Sequence, residues 1–304
     1  MEITLNPFTN RGVITDPSNF FGRGAEIEEL VARLRAMQST SIIGERRIGK
    51  SSLLYHLAQT GAQRLNDEGY LLAYFSVQDA HFHTANGFYQ AILQRLGLAA
   101  EVIKDDHKPN RNLIAFTDEL EKLTQTGRRV VLCLNEFETL FKHPAEFGED
   151  FFDHFRSQLE MRRFAFVTAT RRKLQDLCLE GRLTSPFYNI FTNIELGEFT
   201  EDETMGFIAA HDEQVRFTAD ELGFIHTYFQ THPLKLQILC DWLLKNRVRQ
   251  LSKDALIQEI EKEYGNFFPG MKENLRRAKR WLSLDSFNKL LATLKTGRDL
   301  ISGK

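Results

Sequence analysis

Three features are scarce or missing in this 304-residue chain, and each narrows what it does. Cysteine occurs three times, at Cys133, Cys178 and Cys240, with no metal-ligand spacing between them. That excludes a disulfide scaffold or zinc module and leaves buried, reduced thiols in a cytoplasmic protein as the expectation. Long apolar runs are missing: nothing approaches the roughly 18 residues of a membrane span, so no membrane partner is expected. The opening Met1-Glu2-Ile3-Thr4-Leu5-Asn6-Pro7 lacks a basic region and an apolar core, so no secretory signal is expected either. Charge of one sign is also lacking. Thirty-nine Lys/Arg against 41 Asp/Glu leave a net −2, which gives the chain as a whole no pull toward nucleic acid. Phenylalanine, by contrast, is plentiful, with 25 residues.

Against that plain background stands Gly44-Glu45-Arg46-Arg47-Ile48-Gly49-Lys50-Ser51. It fits the G-x-x-x-x-G-K-[ST] phosphate-loop pattern without a mismatch. A β-rich run, residues 39–43, enters it, and a helical pattern beginning at Ser52 leaves it, which is the context the motif needs. Glycines let the loop curl so that backbone N–H groups face phosphate oxygens, and the helix N-terminus adds the positive end of its dipole. Lys50 would reach the terminal phosphates and Ser51 would offer its hydroxyl to Mg²⁺.

The rest of the pattern is α/β. After an extended lead-in over 1–24, a helix with Ile27, Leu30, Val31 and Leu34 on one face precedes the loop. Strand patterns follow at 69–77, 129–134, 164–170 and 193–196, with helices between them at 86–97 and 111–126. Arg129-Val130-Val131-Leu132-Cys133-Leu134 is the kind of run buried on both faces of a parallel sheet. Phe151, Phe152, Phe155 and Leu159 share one helical face, read as core-facing. His81 and His83, two apart in an expected strand, would share a face, but no third metal ligand is evident. The expected fold is therefore a phosphate-loop parallel sheet flanked by helices, with ligand at the carboxyl ends of its strands, over residues 25–198. From 199 to 268 strands stop and helices follow one another, at 200–214, 218–230, 234–247 and 253–264, the first opened by a Thr200/Glu203 capping box. A basic tail, 269–304, ends the chain with nine Lys/Arg against three Asp/Glu.

Hydrolysis needs a carboxylate beside the γ-phosphate. The strand at 129–134 runs into Asn135-Glu136, where a hydrolase of this class carries Asp-Glu. Glu136 is the candidate for orienting the attacking water, and Asn135, as a neutral metal-side acceptor, predicts weaker Mg²⁺ retention and slow turnover. A locked, hydrolysis-deficient nucleotide holder is the competing reading. Thr170-Arg171-Arg172 ends the neighbouring strand, where Arg171 could stabilise phosphate charge; an ordinary basic loop is the alternative.

Taken together, these residues resemble the STAND branch of the AAA+ ATPases, over about residues 6–268. Phe20-Phe21-Gly22-Arg23-Gly24-Ala25-Glu26 is similar to that group's F-x-G-R-x-x-E lead-in, which lies near the adenine. Thr170-Arg171 resembles its sensor segment, and His232-Pro233-Leu234 its G-x-P-L lid motif, with Thr231 where glycine is usual. The resemblance implies ATP/ADP and Mg²⁺ as cofactors. Arg23, residues 44–52 (Ser52 included) and Pro233 would touch nucleotide, Ser51 and Asn135 would lie on the metal side, and Glu136, Lys50 and Arg171 would form the catalytic set. It implies a regulatory switch in which nucleotide state governs homo-oligomerisation or activation of an effector protein, in a prokaryotic defence or signalling setting. Two alternatives stand beside it: a DNA-handling AAA+ ATPase using the basic residues 272–280, and a nucleotide-bound scaffold. No base-reading N-K-x-D is present, so adenine is expected from the resemblance alone.

Overall fold

The computed structural model describes residues 6–103, 109–227 and 231–264, and the basic tail at 269–304, with its expected helix, lies outside them. The described chain divides into two compact units. Val13–Gly197 forms one, and Glu198 onward joins residues up to Gly12 in the other.

The first unit begins with α1 (Gly24–Arg35), which leads to β1 (Thr40–Ile43) and then α2 (Lys50–Leu65). β2 (Tyr70–Ser76), α3 (Ala85–Arg95), α4 (Pro109–Gln125), β3 (Arg129–Asn135), α5 (Glu149–Glu160), β4 (Ala165–Thr170), α6 (Leu174–Glu180) and β5 (Thr192–Glu195) complete it. All pairings are parallel, in the order β2-β3-β4-β1-β5. β1, which enters the loop, therefore lies between β4 and β5, and β4 separates it from β3. Register aligns Ile43 with Thr170, and Asn135 with Ala169, so the loop, Asn135 and Thr170 all emerge at the carboxyl ends of adjacent strands.

Both faces of the sheet are covered, which is why β1, β3 and β4 read as continuous apolar runs. On one side α1 and α2 pack through Ile27, Leu30, Leu34, Leu53, Leu54 and Leu57. The other side absorbs the phenylalanine surplus. Thirteen of the 25 phenylalanines lie in this core, the stripe of α5 (Phe151, Phe152, Phe155, Leu159) among them. Their rings meet mostly edge to face, as in Phe88 against Phe82 and Phe151 against Phe152, the arrangement that aromatic quadrupoles favour.

Two expectations need correction. Ala80–His83 is a 3-10 turn and not a strand, so His81 and His83 do not share a strand face: His81 Nδ1 lies 2.7 Å from Asp79, while the His83 ring stacks on His143 at 4.6 Å. Among the described residues no cluster of three metal ligands exists. The lead-in is also divided rather than continuous: Phe20 stacks on His56 of α2 at 4.1 Å, whereas Phe8 is fully buried in the other unit.

That second unit consists of α7 (Glu201–Val215), α8 (Ala219–Thr227), α9 (Pro233–Arg249) and α10 (Lys253–Tyr264). The capping box at Thr200 and Glu203 is present, and α9 starts with Pro233 at its first position behind a His232 cap. Phe8 sits against Phe207, His211 and Phe217. Its segment is fastened by Asp241, 1% exposed, which accepts hydrogen bonds from Asn6 at 2.8 Å, Arg11 at 2.5 Å and Lys245 at 2.9 Å. Among the described residues no helix is long and apolar enough to cross a membrane.

Candidate nucleotide-binding site

The loop from Gly44 to Gly49 owes its shape to two backbone demands. A Cβ at Gly44 would stand 2.7 Å from the Leu196 carbonyl and 3.0 Å from Ile48 Cγ2, so only glycine fits beside β5. Gly49 caps α2 with φ +105°, a left-handed conformation that a side chain would strain. Glu45, Arg46 and Arg47 ride on the outside of the loop, and Ile48 anchors it inward. Arg23, 3% exposed and itself left-handed at φ 65°, braces it from behind. Its guanidinium donates to the carbonyls of Ile48 (3.0 Å) and Gly197 (2.7 Å) and pairs with Glu26.

Lys50 opens α2 and folds back to donate to the carbonyls of Gly44 and Glu45, each at 2.8 Å. Burial lowers its pKa, and the negative charges of Glu136 and then Glu138 oppose that effect. Ser51 donates to Asn135 Oδ1 at 2.9 Å, bringing the two expected metal-side residues together. The next residue, Ser52, has its hydroxyl accepting from the Ile14 N–H at 3.1 Å. Asn135 is buried, and its side chain also hydrogen-bonds Tyr74 of β2, whose hydroxyl is pushed up to about 12, chiefly by burial.

Glu136, just past β3, is half-buried and left-handed at φ 55°. A glutamate held there is strained, a condition typical of functional positions. It is the carboxylate that acts most strongly on Lys50. Two residues on, Glu138 is 8% exposed and accepts from Arg171 Nε at 3.1 Å. Thr170 turns its hydroxyl to the Arg172 carbonyl, 2.7 Å away, and Arg172 pairs with Glu180. Beside Arg171 opens a cavity of about 620 Å³ lined by Glu138, Phe141, Arg171, Arg172 and Leu177.

The loop, Lys50, Ser51, Asn135, Glu136 and Arg171 thus belong to one unit and lie at the carboxyl end of its sheet. Pro233 belongs to the helical unit, as the first residue of α9. Nearby Thr231 donates to Glu198, and its carbonyl accepts from Phe199 N–H at 2.9 Å, local bonds within that same unit. Sequence reasoning missed Tyr74 and Glu138. For Glu138 the signal was there: a second acid, two residues beyond the strand-end Glu136.

A parallel sheet with a glycine loop running into a helix-capping Lys-Ser, beside a strand that ends in a polar-acidic pair, defines a P-loop NTPase. The chain belongs to the novel STAND NTPase 2 family, whose sequence profile matches residues 33–261. No match is found among curated proteins. Among solved structures it is similar to the Walker-type ATPase paby2304 of Pyrococcus abyssi, with a TM-score of 0.65 and 17% identity over 95% of this chain and 93% of that one. The ORC2 protein of Aeropyrum pernix, in its ADPNP-ADP complexes, gives 0.61 at 15% identity over 86% and 72%. The A. pernix ORC1 protein, solved in complex with DNA, gives 0.56 at 13% over 95% and 85%. At these identities the likeness is one of fold.

Proposed function

We propose that this chain is an ATP-binding switch of slow turnover, in which nucleotide state governs self-assembly or engagement of an effector protein. The observation that carries the reading is the neutral Ser51–Asn135 pair at 2.9 Å, set between a complete phosphate loop and Glu136. Phosphate oxygens would meet the N–H groups of the loop and the start of α2, with Lys50 swinging from the Gly44 and Glu45 carbonyls to the terminal phosphates.

The donor chemistry fits Mg²⁺, a hard cation that takes oxygen ligands and keeps several waters. The Ser51 hydroxyl would bind it directly and the Asn135 carbonyl oxygen through a water. When bound, the ion would neutralise charge between the outer phosphates. With no carboxylate at position 135 it would be held loosely. The Glu136 carboxylate, without a hydrogen-bond partner among the described residues, is free to orient a water, and Arg171 supplies a cation for the terminal phosphate.

The test joins phosphate release from ATP with light-scattering mass measurement in ADP and in a non-hydrolysable ATP analogue. Slow release abolished by Glu136→Gln, with a mass that depends on the nucleotide, supports the switch. Bound nucleotide with no release and constant mass would replace it with a scaffold. A second reading, DNA handling, draws on the ORC-like fold and the basic residues 272–280; salt-sensitive retention of duplex or single strand would favour it.

A further inference from the structure

We infer that Glu138 is a positioning residue that presents the terminal nitrogens of Arg171 to the outermost phosphate, so that this pair sets the preference for a nucleoside triphosphate over a diphosphate. The inference rests on the nucleotide-binding reading above and adds a residue to it.

The contact is made in an unusual place on the guanidinium. Glu138 Oε1 takes only the Nε–H of Arg171, at 3.1 Å, and leaves the two terminal nitrogens without a partner among the described residues. A guanidinium held by its Nε edge still offers a fork of two parallel donors at its far end, the arrangement that binds phosphate oxygens bidentately. Arg171 is therefore gripped at the base and open at the tip.

Burial makes the grip firm. Exposed ion pairs hold geometry poorly, because both partners find water when they part. Here the partners are unequal: the Arg171 side chain is 42% exposed, but that of Glu138 is 9% exposed. The second oxygen of Glu138, Oε2, is buried and has no hydrogen-bond partner among the described residues. If Arg171 left, the carboxylate would lose the one partner it has there, and leaving a buried charge unpaired is strongly disfavoured. Arg171 is thus fixed by its neighbour's burial and not by its own.

Placement agrees with this role. Both Glu138 and Arg171 lie close enough to Lys50 for their charges to act on it, in opposite directions. Lys50 and Arg171 repel one another, and Glu138, attracting both cations, lets both remain near one site. A triphosphate would bring the negative charge that satisfies both; a diphosphate ends one phosphate short of the fork.

The experiment measures the affinity of the full chain for ADP and for a non-hydrolysable ATP analogue, by fluorescence titration, in four proteins besides wild type. These are Arg171→Ala, Glu138→Gln, Glu138→Asp and the double variant Glu138→Asp/Arg171→Ala. Glutamine keeps an acceptor oxygen of the same reach, whereas aspartate keeps the charge but withdraws the acceptor by one methylene. We expect Arg171→Ala to weaken the triphosphate analogue about tenfold or more, in line with a charge-assisted contact, and to leave ADP within about twofold. Glu138→Asp should lose the triphosphate preference to a similar degree, Glu138→Gln, which keeps the reach without the charge, should lose less of it, and the double variant should be no worse than Arg171→Ala alone. A Glu138→Asp protein that keeps the preference, or loses affinity for both nucleotides equally, overturns the inference. So does an additive double variant, since a residue acting through Arg171 has nothing left to add. A wild-type chain that binds neither nucleotide would instead sink the nucleotide-binding reading itself.

Discussion

Restoring a carboxylate at position 135 is the most informative single change. In Asn135→Asp, the acceptor for the Ser51 hydroxyl survives, but the amide donor shared with Tyr74 is lost and a charge appears where the native residue is 6% exposed. Without a metal that charge is a liability. It stands beside Glu136, and a buried, incompletely paired group costs about 1–3 kcal/mol. The Asn135→Asp protein should therefore melt below wild type when free of nucleotide. With Mg²⁺ the sign reverses. Charges of +2 and −1 about 4 Å apart across a water attract by roughly 8 kcal/mol at an effective dielectric of about 20. Desolvation removes several kcal/mol of this. Changes to such outer metal partners typically alter affinity about 10- to 100-fold, or roughly 1.4–2.7 kcal/mol, and a gain in that range is the expected net. The assay titrates Mg²⁺ into each protein with a fluorescent ATP analogue, alongside melting curves with and without the ion. In wild type, nucleotide affinity should change little on adding EDTA; in Asn135→Asp it should fall steeply. If the two proteins depend on Mg²⁺ alike within about threefold, position 135 does not govern the metal and the reasoning fails.

Other outcomes follow from the same geometry. Lys50 is held below the usual lysine range by burial, so phosphate binding should restore its charge and take up a proton at alkaline pH. Calorimetry in buffers of different ionisation heat would detect this, and uptake that persists in Lys50→Met would refute it. His56, His154 and His211 are all lowered, chiefly by burial, so the unfolded chain binds their protons first. Stability should be full above about pH 6.5 and be lost as pH falls below it, and a flat acid limb in chemical denaturation would contradict this. Phe8→Ala, in a fully buried site, should cost the helical unit about 3–5 kcal/mol. Unchanged hydrogen-exchange protection in α7 and α9 would count against it.

Much of the fold could be read because burial leaves a plain pattern. β3 is apolar from Val130 to Leu134 because both its faces are covered, and a run so short suits a buried strand better than a helix. α6, of seven residues, escaped because one face of so short a helix shows less than two turns of periodicity. The turn at Ala80–His83 went unread because no glycine or proline marks it. At the site, the loop residues follow from a spacing that phosphate chemistry dictates. Arg23 could be marked only by resemblance, and the carbonyls it braces lie 25 and 174 residues away in sequence. Glu138 and Tyr74 depend in the same way on neighbours that only folding supplies.

The division of the lead-in has a consequence for the order in which the molecule can be made. Arg11 and Asp241 are 230 residues apart, and Phe8 belongs to the same core as α9. On the ribosome, the segment Val13–Gly197 can collapse as soon as β5 emerges, since everything it needs has already been synthesised. Residues 6–12, made before that segment, have no seat until α9 is made. They must wait while Val13–Gly197 and the helices up to α9 are made, as a tethered arm carrying an uncovered phenylalanine, and so non-local a contact closes slowly. A fragment beginning after Gly12, or ending before α9, would leave one half of that core without its counterpart.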